Sequence, residues 1–327
     1  MSHESEVKRQ SQAAYKQWCV QWRENAKQHS HYKMKDIVEF QNIGIGRAVL
    51  VIANGYSFEK NIETIKKYQH NVDIMCVDKT LKPCLENGII PTYCLVCDAN
   101  VNYETYMKPV EDRLSDTKLF MNVCANPKWS ANGNWKDRIF FVNKDVLKSE
   151  REFIELSGCH NVIPAGTNVS NAAIVMLTQS DESGRRNFFG YDKILLIGFD
   201  YSWDESYYAF EKDGGGKRHY MKHMMLPDQK SRMVYTSTNL HFSAKWMSKY
   251  IQVFKAPVIQ CSDESILTGY RLGDLAEQMQ YRYKPEDANH VIQLIEYRRQ
   301  LEAKVKQINS DILAMGRDHF KQLIRTI

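Results

Sequence analysis

Six short apolar runs punctuate the chain between residues 48 and 200: AVLVIA (48–53), VDIMCV (72–77), TYCLVC (92–97), LFMNVC (119–124), RIFFV (138–142) and KILLIGFD (193–200). None alternates cleanly between apolar and polar. Each therefore predicts a strand buried on both faces, as in a parallel sheet covered by helices on either side. Between the first two runs, SFEKNIETIKKY (57–68) sets Phe58, Ile62, Ile65 and Tyr68 at helical spacing behind Ser57, a capping residue type. Strand, turn, helix, strand is a βαβ unit, so the pattern predicts an α/β fold with a mostly parallel sheet and helices on both faces. Further helices are predicted from Val169 to Thr178 and from Asn239 to Phe254, the latter followed by a short strand, PVIQC.

The remaining segments suggest how the chain is divided. Residues 201–238 are long, irregular and rich in aromatic and basic residues, which predicts a lid over a site. After Pro285, apolar residues at Leu294, Leu301, Val305, Ile308, Ile312 and Met315 follow a near-heptad spacing. That helix is either a self-association seam, giving a homo-oligomer, or an intramolecular hairpin. The resulting division is a basic helical N-terminal arm (1–45), a nucleotide-binding catalytic domain (46–262) and a C-terminal helical extension (263–327).

Composition narrows the class. With 327 residues, 43% hydrophobic, the chain is long enough to bury a core without disulfides or structural metal. No run approaches the ~18 apolar residues of a membrane span and MSHESEVKRQ lacks a signal-peptide core, so a cytoplasmic protein is expected. Eight cysteines, several in apolar runs, read as buried reduced thiols. The Cys94/Cys97 pair lies in a strand, where residues three apart face opposite ways. Residues 1–35 carry seven basic residues against three acidic ones, a net charge of +4 that suits either a solvated helix or a polyanionic partner such as nucleic acid.

Candidate chemistry clusters after the strands, where ligands of open α/β sheets bind. The turn Ala53-Asn54-Gly55-Tyr56-Ser57 follows the first run and opens a helix, a phosphate-site pattern, although the dinucleotide fingerprint and the Walker motif are both absent. Three runs end in acid, at Asp78, Asp98 and Asp200, and three such acids would converge on one crevice to bind ribose, hold Mg²⁺ or act as a base. Gly166, Thr167, Asn168 and Ser170 form a second small, polar helix entrance. His219 and His223 are one helical turn apart, and Lys217, Arg218 and Lys222 beside them would neutralise a diphosphate.

These residues carry a resemblance. VLVIANGYSFEKNIETI, IMCVDKTLKPCLENGIIPTYCLVCDAN, GTNVSNAAIVML and GYDKILLIGFDYSW resemble, in order, the motility-accessory-factor and 6-hydroxymethylpterin diphosphokinase MptE-like family, which is Rossmann-like. The same blocks are similar to bacterial CMP-sialic-acid sialyltransferases. That likeness implies a nucleotide on Asn54, Gly55 and Ser57, with Asp78, Asp98, Asn100, Gly166, Thr167, Asn168, Ser170, Thr238 and Asn239 also contacting donor. It implies an aromatic and basic lid containing Tyr208, Lys217 and Arg218, and no cofactor. Ala53 and Tyr56 depart from the usual Gly and Pro, and Asp78 and Asp98 stand where the sialyltransferases have Asn, which points to a different nucleotide or a metal requirement. Thr236, Ser237 and Thr238 stand where the sialyltransferases place the base His, which leaves His219, His223 or His241 as substitutes, with His223, His241 and Asp200 the catalytic candidates. The expectation is a transferase with a nucleotide-activated small-molecule donor, foremost a glycosyltransferase acting on a glycan or a large anion such as modified DNA. The alternatives are pyrophosphoryl transfer from ATP to a pterin alcohol, with Mg²⁺ on Asp78, Asp98 or Asp200, and a non-catalytic nucleotide-binding or assembly protein.

Overall fold

The computed structural model describes residues 3–144, 147–179, 188–203 and 223–280, with 304, 307 and 310 singly. The expected lid residues Tyr208, Lys217, Arg218 and Lys222, and His219, lie outside the described residues, as does nearly all of the C-terminal extension. Residues Met1–Arg282 form one compact unit and Tyr283–Ile327 another.

The strands are β1 (Ala48–Ile52), β2 (Asp73–Val77), β3 (Tyr93–Val96), β4 (Lys118–Asn122), β5 (Asp137–Lys144), β6 (Val162–Pro164), β7 (Lys193–Ile197), β8 (His223–Pro227), β9 (Met233–Ser237), β10 (Val258–Gln260) and β11 (Arg271–Leu272). The helices are α1 (His3–His29), α2 (Tyr56–Lys60), α3 (Ile62–Tyr68), α4 (Asp78–Glu86), α5 (Tyr103–Tyr106), α6 (Lys128–Ala131), α7 (Glu150–Ser157), α8 (Val169–Thr178), α9 (Thr238–Phe254) and α10 (Leu275–Gln280). All strands but β8 and β9 join one sheet, ordered β11-β10-β7-β1-β2-β3-β4-β5-β6, and every pairing in it is parallel.

Alternate residues of one strand feed two cores. Ala48, Leu50 and Ile52 of β1 pack on one face of the sheet, while Val49 and Val51 pack on the other with Ile174, Val175 and Met247. Both sets are fully buried, which is why the run shows no polar alternation. Cys94 and Cys97 likewise fall into opposite layers.

The chain winds from β1 outward to β6, crosses back through α8, and resumes at β7 on the other side of β1. The strand order therefore reverses between β1 and β7, which opens a crevice above their carboxyl ends. The backbones close tightly below it. Gly198 has φ +74°, and a Cβ there would lie 2.0 Å from the Ala53 carbonyl oxygen. A Cβ at Gly55 would lie 2.4 Å from both Asp200 Oδ2 and the Gly198 carbonyl oxygen.

Three local expectations are corrected. The helix read over 57–68 is two helices broken at Asn61, whose amide donates to the Ser57 carbonyl at 2.8 Å and competes with the backbone ladder. The residue capping α2 is Gly55, not Ser57. The irregular stretch 201–238 contains the antiparallel hairpin β8–β9, tied to the end of β7 by the paired backbones of Trp203 and Tyr235.

Candidate active site

Above the carboxyl rim lies a cleft of about 1250 Å³ that extends from the β7 end to the β6 end. Several strands contribute the residues at their ends: Asn54 and Gly55 after β1, Asp78 and Lys79 after β2, Asp98 and Asn100 after β3, and Gly166 to Ser170 after β6. These predicted residues come from distant stretches because parallel strands end at one rim. Asn122 and Asn143 at the ends of β4 and β5 also line it, as do Gly198, Tyr201 and Ser202 after β7. Of these only Asn143 carried a sequence signal, as the polar residue that closes an apolar run.

Asp78 and Asp98 share the cleft. Asp78 is 3% exposed and accepts from the Lys79 N–H at 2.7 Å. Burial pushes its carboxyl up to about 7, and the negative Asp98 nearby adds to the rise. Asp98 is exposed and folds its own turn by accepting from the Asn100 N–H at 2.8 Å.

Asp200 takes a different place from the rim position expected of it. It is fully buried beneath the Asn54 turn. Its oxygens accept from the Ser57 N–H at 2.8 Å, the Ser57 hydroxyl at 2.6 Å and the Ser262 hydroxyl at 3.1 Å. Burial raises its carboxyl to about 6 against those hydrogen bonds. It positions the turn and does not line the cleft. Ser57 is spent in the same way, since its hydroxyl also accepts from the Gly198 N–H at 2.9 Å. The Gly55 N–H donates to the Gly198 carbonyl at 2.9 Å, so this turn keeps few free donors for a phosphate.

The α8 entrance is better supplied. Asn168 caps it by accepting from the Asn171 N–H at 2.8 Å, and Thr167 Oγ1 accepts from the Asn171 amide at 2.6 Å. The first-turn N–H groups of Val169 and Ser170 have no intrahelical acceptor, and they stand in the cleft wall with the positive end of the helix dipole. Gly166 lets the chain pass, because a Cβ there would meet the Ala172 backbone nitrogen at 2.4 Å.

The expected base His241 stands apart from the cleft lining. His241 lies in the first turn of α9, with Nδ1 buried and without a hydrogen-bond partner among the described residues. Burial, and then Lys245, lower its pKa. His223 begins β8 opposite Ser237. Thr238 and Asn239 are exposed and do not line the cleft, whereas Leu240, Phe242 and Trp246 of the same helix do. Thr236 donates to the Tyr201 carbonyl at 2.7 Å, and the Ser237 hydroxyl accepts from the Leu240 N–H at 3.3 Å, so both are structural. Among the described residues no group of three or more His, Cys, Asp or Glu gathers to hold a metal, and no helix is long and apolar enough to cross a membrane.

Sequence reasoning missed the cleft's outer wall. Ser11, Ala14, Trp18 and Trp22, on one stripe of α1, face the rim together with Phe153 of α7. α1 is fixed at its C-terminal end, where the Asn25 amide donates to the Cys124 carbonyl at 2.9 Å and His29 Nδ1 lies 2.9 Å from the Val123 carbonyl.

A family model described as 6-hydroxymethylpterin diphosphokinase MptE-like matches residues 21–206, more than half of the chain. The chain belongs to this MptE-like family. The match covers β1 to β7 and the rim segments that follow those strands, but not Ser11, Ala14 and Trp18 of α1 or Leu240, Phe242 and Trp246 of α9. Among solved structures, the MAf glycosyltransferase from Magnetospirillum magneticum AMB-1 is similar over 82% of this chain, with a TM-score of 0.58 and 15% identity. That likeness is one of fold. The matched region is 39% of the glycosyltransferase's length. Comparison with curated proteins gives no match.

Proposed function

We propose that this MptE-like protein is a transferase that holds a nucleotide-activated donor in the rim cleft and moves a glycosyl group to an acceptor hydroxyl. One observation supports the reading above others: Asn54, Asp78, Asp98 and the α8 entrance converge at the reversal point of the sheet. The donor phosphates sit at the Thr167–Ser170 entrance, where backbone N–H groups and the helix dipole stabilise charge as the leaving phosphate departs. Lys79 adds a cation at the same cleft. Asp78 replaces the histidines as base. Its carboxyl, raised to about 7, takes the acceptor proton while the acceptor oxygen bonds the anomeric carbon and the phosphate leaves with the electron pair of the broken bond.

The Asp78–Asp98 pair favours a second reading, pyrophosphoryl transfer from ATP. One or two carboxylates completed by substrate phosphates are a usual Mg²⁺ donor set, and these two would hold the ion while it screens the phosphate charge. Asp200, with its oxygens taken by Ser57 and Ser262, does not fit that role.

A product assay separates the readings. Purified protein is incubated with nucleotide sugars, or with ATP, Mg²⁺ and a pterin alcohol, and the products are weighed by mass spectrometry. Nucleotide release from a sugar donor, lowered at least tenfold in Asp78→Asn, is the expected outcome. AMP formation strictly dependent on Mg²⁺ would transfer the assignment to the second reading, and turnover of neither would refute both.

A further inference from the structure

Asn171, in the first turn of α8, is fully buried and does not line the cleft, although its neighbours Ser170 and Ala172 do. Three segments of chain meet on its amide. Nδ2 donates to the Ser243 carbonyl of α9 at 3.1 Å and to Thr167 Oγ1 at 2.6 Å, while Oδ1 accepts from the Tyr201 hydroxyl. Tyr201 reaches it from a left-handed backbone, φ +53°, that a bulky residue rarely adopts.

The partners fix which way the amide faces. Thr167 and Tyr201 carry hydroxyls, which could exchange the roles of donor and acceptor. The Ser243 carbonyl has no proton and can only accept, so Nδ2 must face α9 and Thr167. Turned over, the amide would set Oδ1 against that carbonyl and leave two buried acceptors without a donor. The consequence falls on Thr167. Its oxygen accepts from Asn171, and among the described residues no group accepts its own proton. Thr167 is half-buried and lines the cleft, so its one unmet demand, for an acceptor, lies on the open side.

We infer that Asn171 is a positioning residue that holds the Thr167 proton toward the cleft, and that Thr167 thereby reads an oxygen that only accepts, a phosphate oxygen of the bound donor. Hydrogen bonds to such charged oxygens are the stronger kind. That the phosphate belongs to a donor rests on the transferase reading. What is added is the side chain that reads it and the buried amide that sets the direction of the hydrogen bond.

The test is calorimetric binding to the full chain, with each of the four ribonucleosides compared with its 5′-diphosphate. The readout is the ratio of diphosphate to nucleoside affinity, which a general loosening of the fold does not move. Thr167→Val should lower the ratio roughly tenfold, and Thr167→Ser should restore it. Asn171→Leu leaves the hydroxyl free to turn among three staggered orientations and should lower the ratio by roughly threefold. In the Thr167→Val background the same Asn171→Leu change should lower it no further, because the proton it acts through is gone. An unchanged ratio in Thr167→Val, or an equal loss from Asn171→Leu with and without the Thr167 hydroxyl, would overturn the inference. Should Asn171→Leu fail to fold, the Val and Ser variants at position 167 decide: loss in Val with recovery in Ser upholds it, and no loss in Val overturns it. A wild-type chain that binds none of the diphosphates would remove the transferase reading and this assignment together. Diphosphate binding that ignores the Thr167 hydroxyl would remove the assignment alone.

Discussion

Two carboxylates at the same rim are used in opposite ways, and their partners explain the difference. Asp200 is surrounded by Ser57 and Ser262 donors, so its charge is consumed in holding the Asn54 turn. Asp200→Ala leaves the Ser57 N–H and two hydroxyls without an acceptor. Urea unfolding should register a loss of roughly 2–3 kcal/mol. Asp78 is equally buried but accepts one backbone N–H and faces the cleft. An unfolded aspartate titrates near 4, while this one titrates at about 7 when folded. Between those values the native state binds more protons than the unfolded state, so the stability associated with Asp78 is complete below pH ~4 and is lost as pH rises through about 7. Asp78→Asn should flatten the fall in unfolding free energy across that window, by on the order of 4 kcal/mol, while lowering turnover at least tenfold. An unchanged slope would show that Asp78 is more hydrated than its surroundings imply. Both aspartates were legible in the sequence as strand-terminal acids. Their separate roles were not, because Ser57 and Ser262 lie 143 and 62 residues from Asp200.

At the scale of elements, the strands were readable because a strand buried on both faces must be apolar throughout, and few other segments of this chain are. Boundaries matched within one residue at β1, β2 and β3. The three-residue β6 escaped, being too short for any periodicity and ending in Pro164. The hairpin β8–β9 escaped because its exposed face carries Met225, Met233 and Tyr235, which erases the polar alternation of a surface strand. Helix α1 was read as a charged arm, since its single apolar stripe is narrow. That stripe, continued by Asn25 and His29, is what docks the helix on the rim. Burial lowers His29 to about 4, against 6.5 when free, so it is neutral where it meets Val123. The unfolded state binds the proton more readily, and docking weakens as pH falls from 6.5 toward 4. Amide exchange in residues 20–29 should therefore accelerate on acidification, and His29→Gln should blunt the change.

For the whole molecule, topology explains why residues separated by more than a hundred positions meet. A parallel sheet delivers every strand terminus to one rim, and the return through α8 places a helix entrance opposite Asn54. That much of the site follows from sequence order and strand direction. The α1 wall does not, because no local pattern tells a helix before the sheet which edge to cover. The central claim, that this rim grips a nucleotide-activated donor, is tested most directly by amide hydrogen exchange with and without saturating nucleotide sugar. Slowed exchange should appear together at residues 54–55, 78–79, 98–100 and 165–170, and stay unchanged in the strand interiors. Protection confined to other surfaces, or none with any nucleotide or nucleotide sugar, would contradict the account.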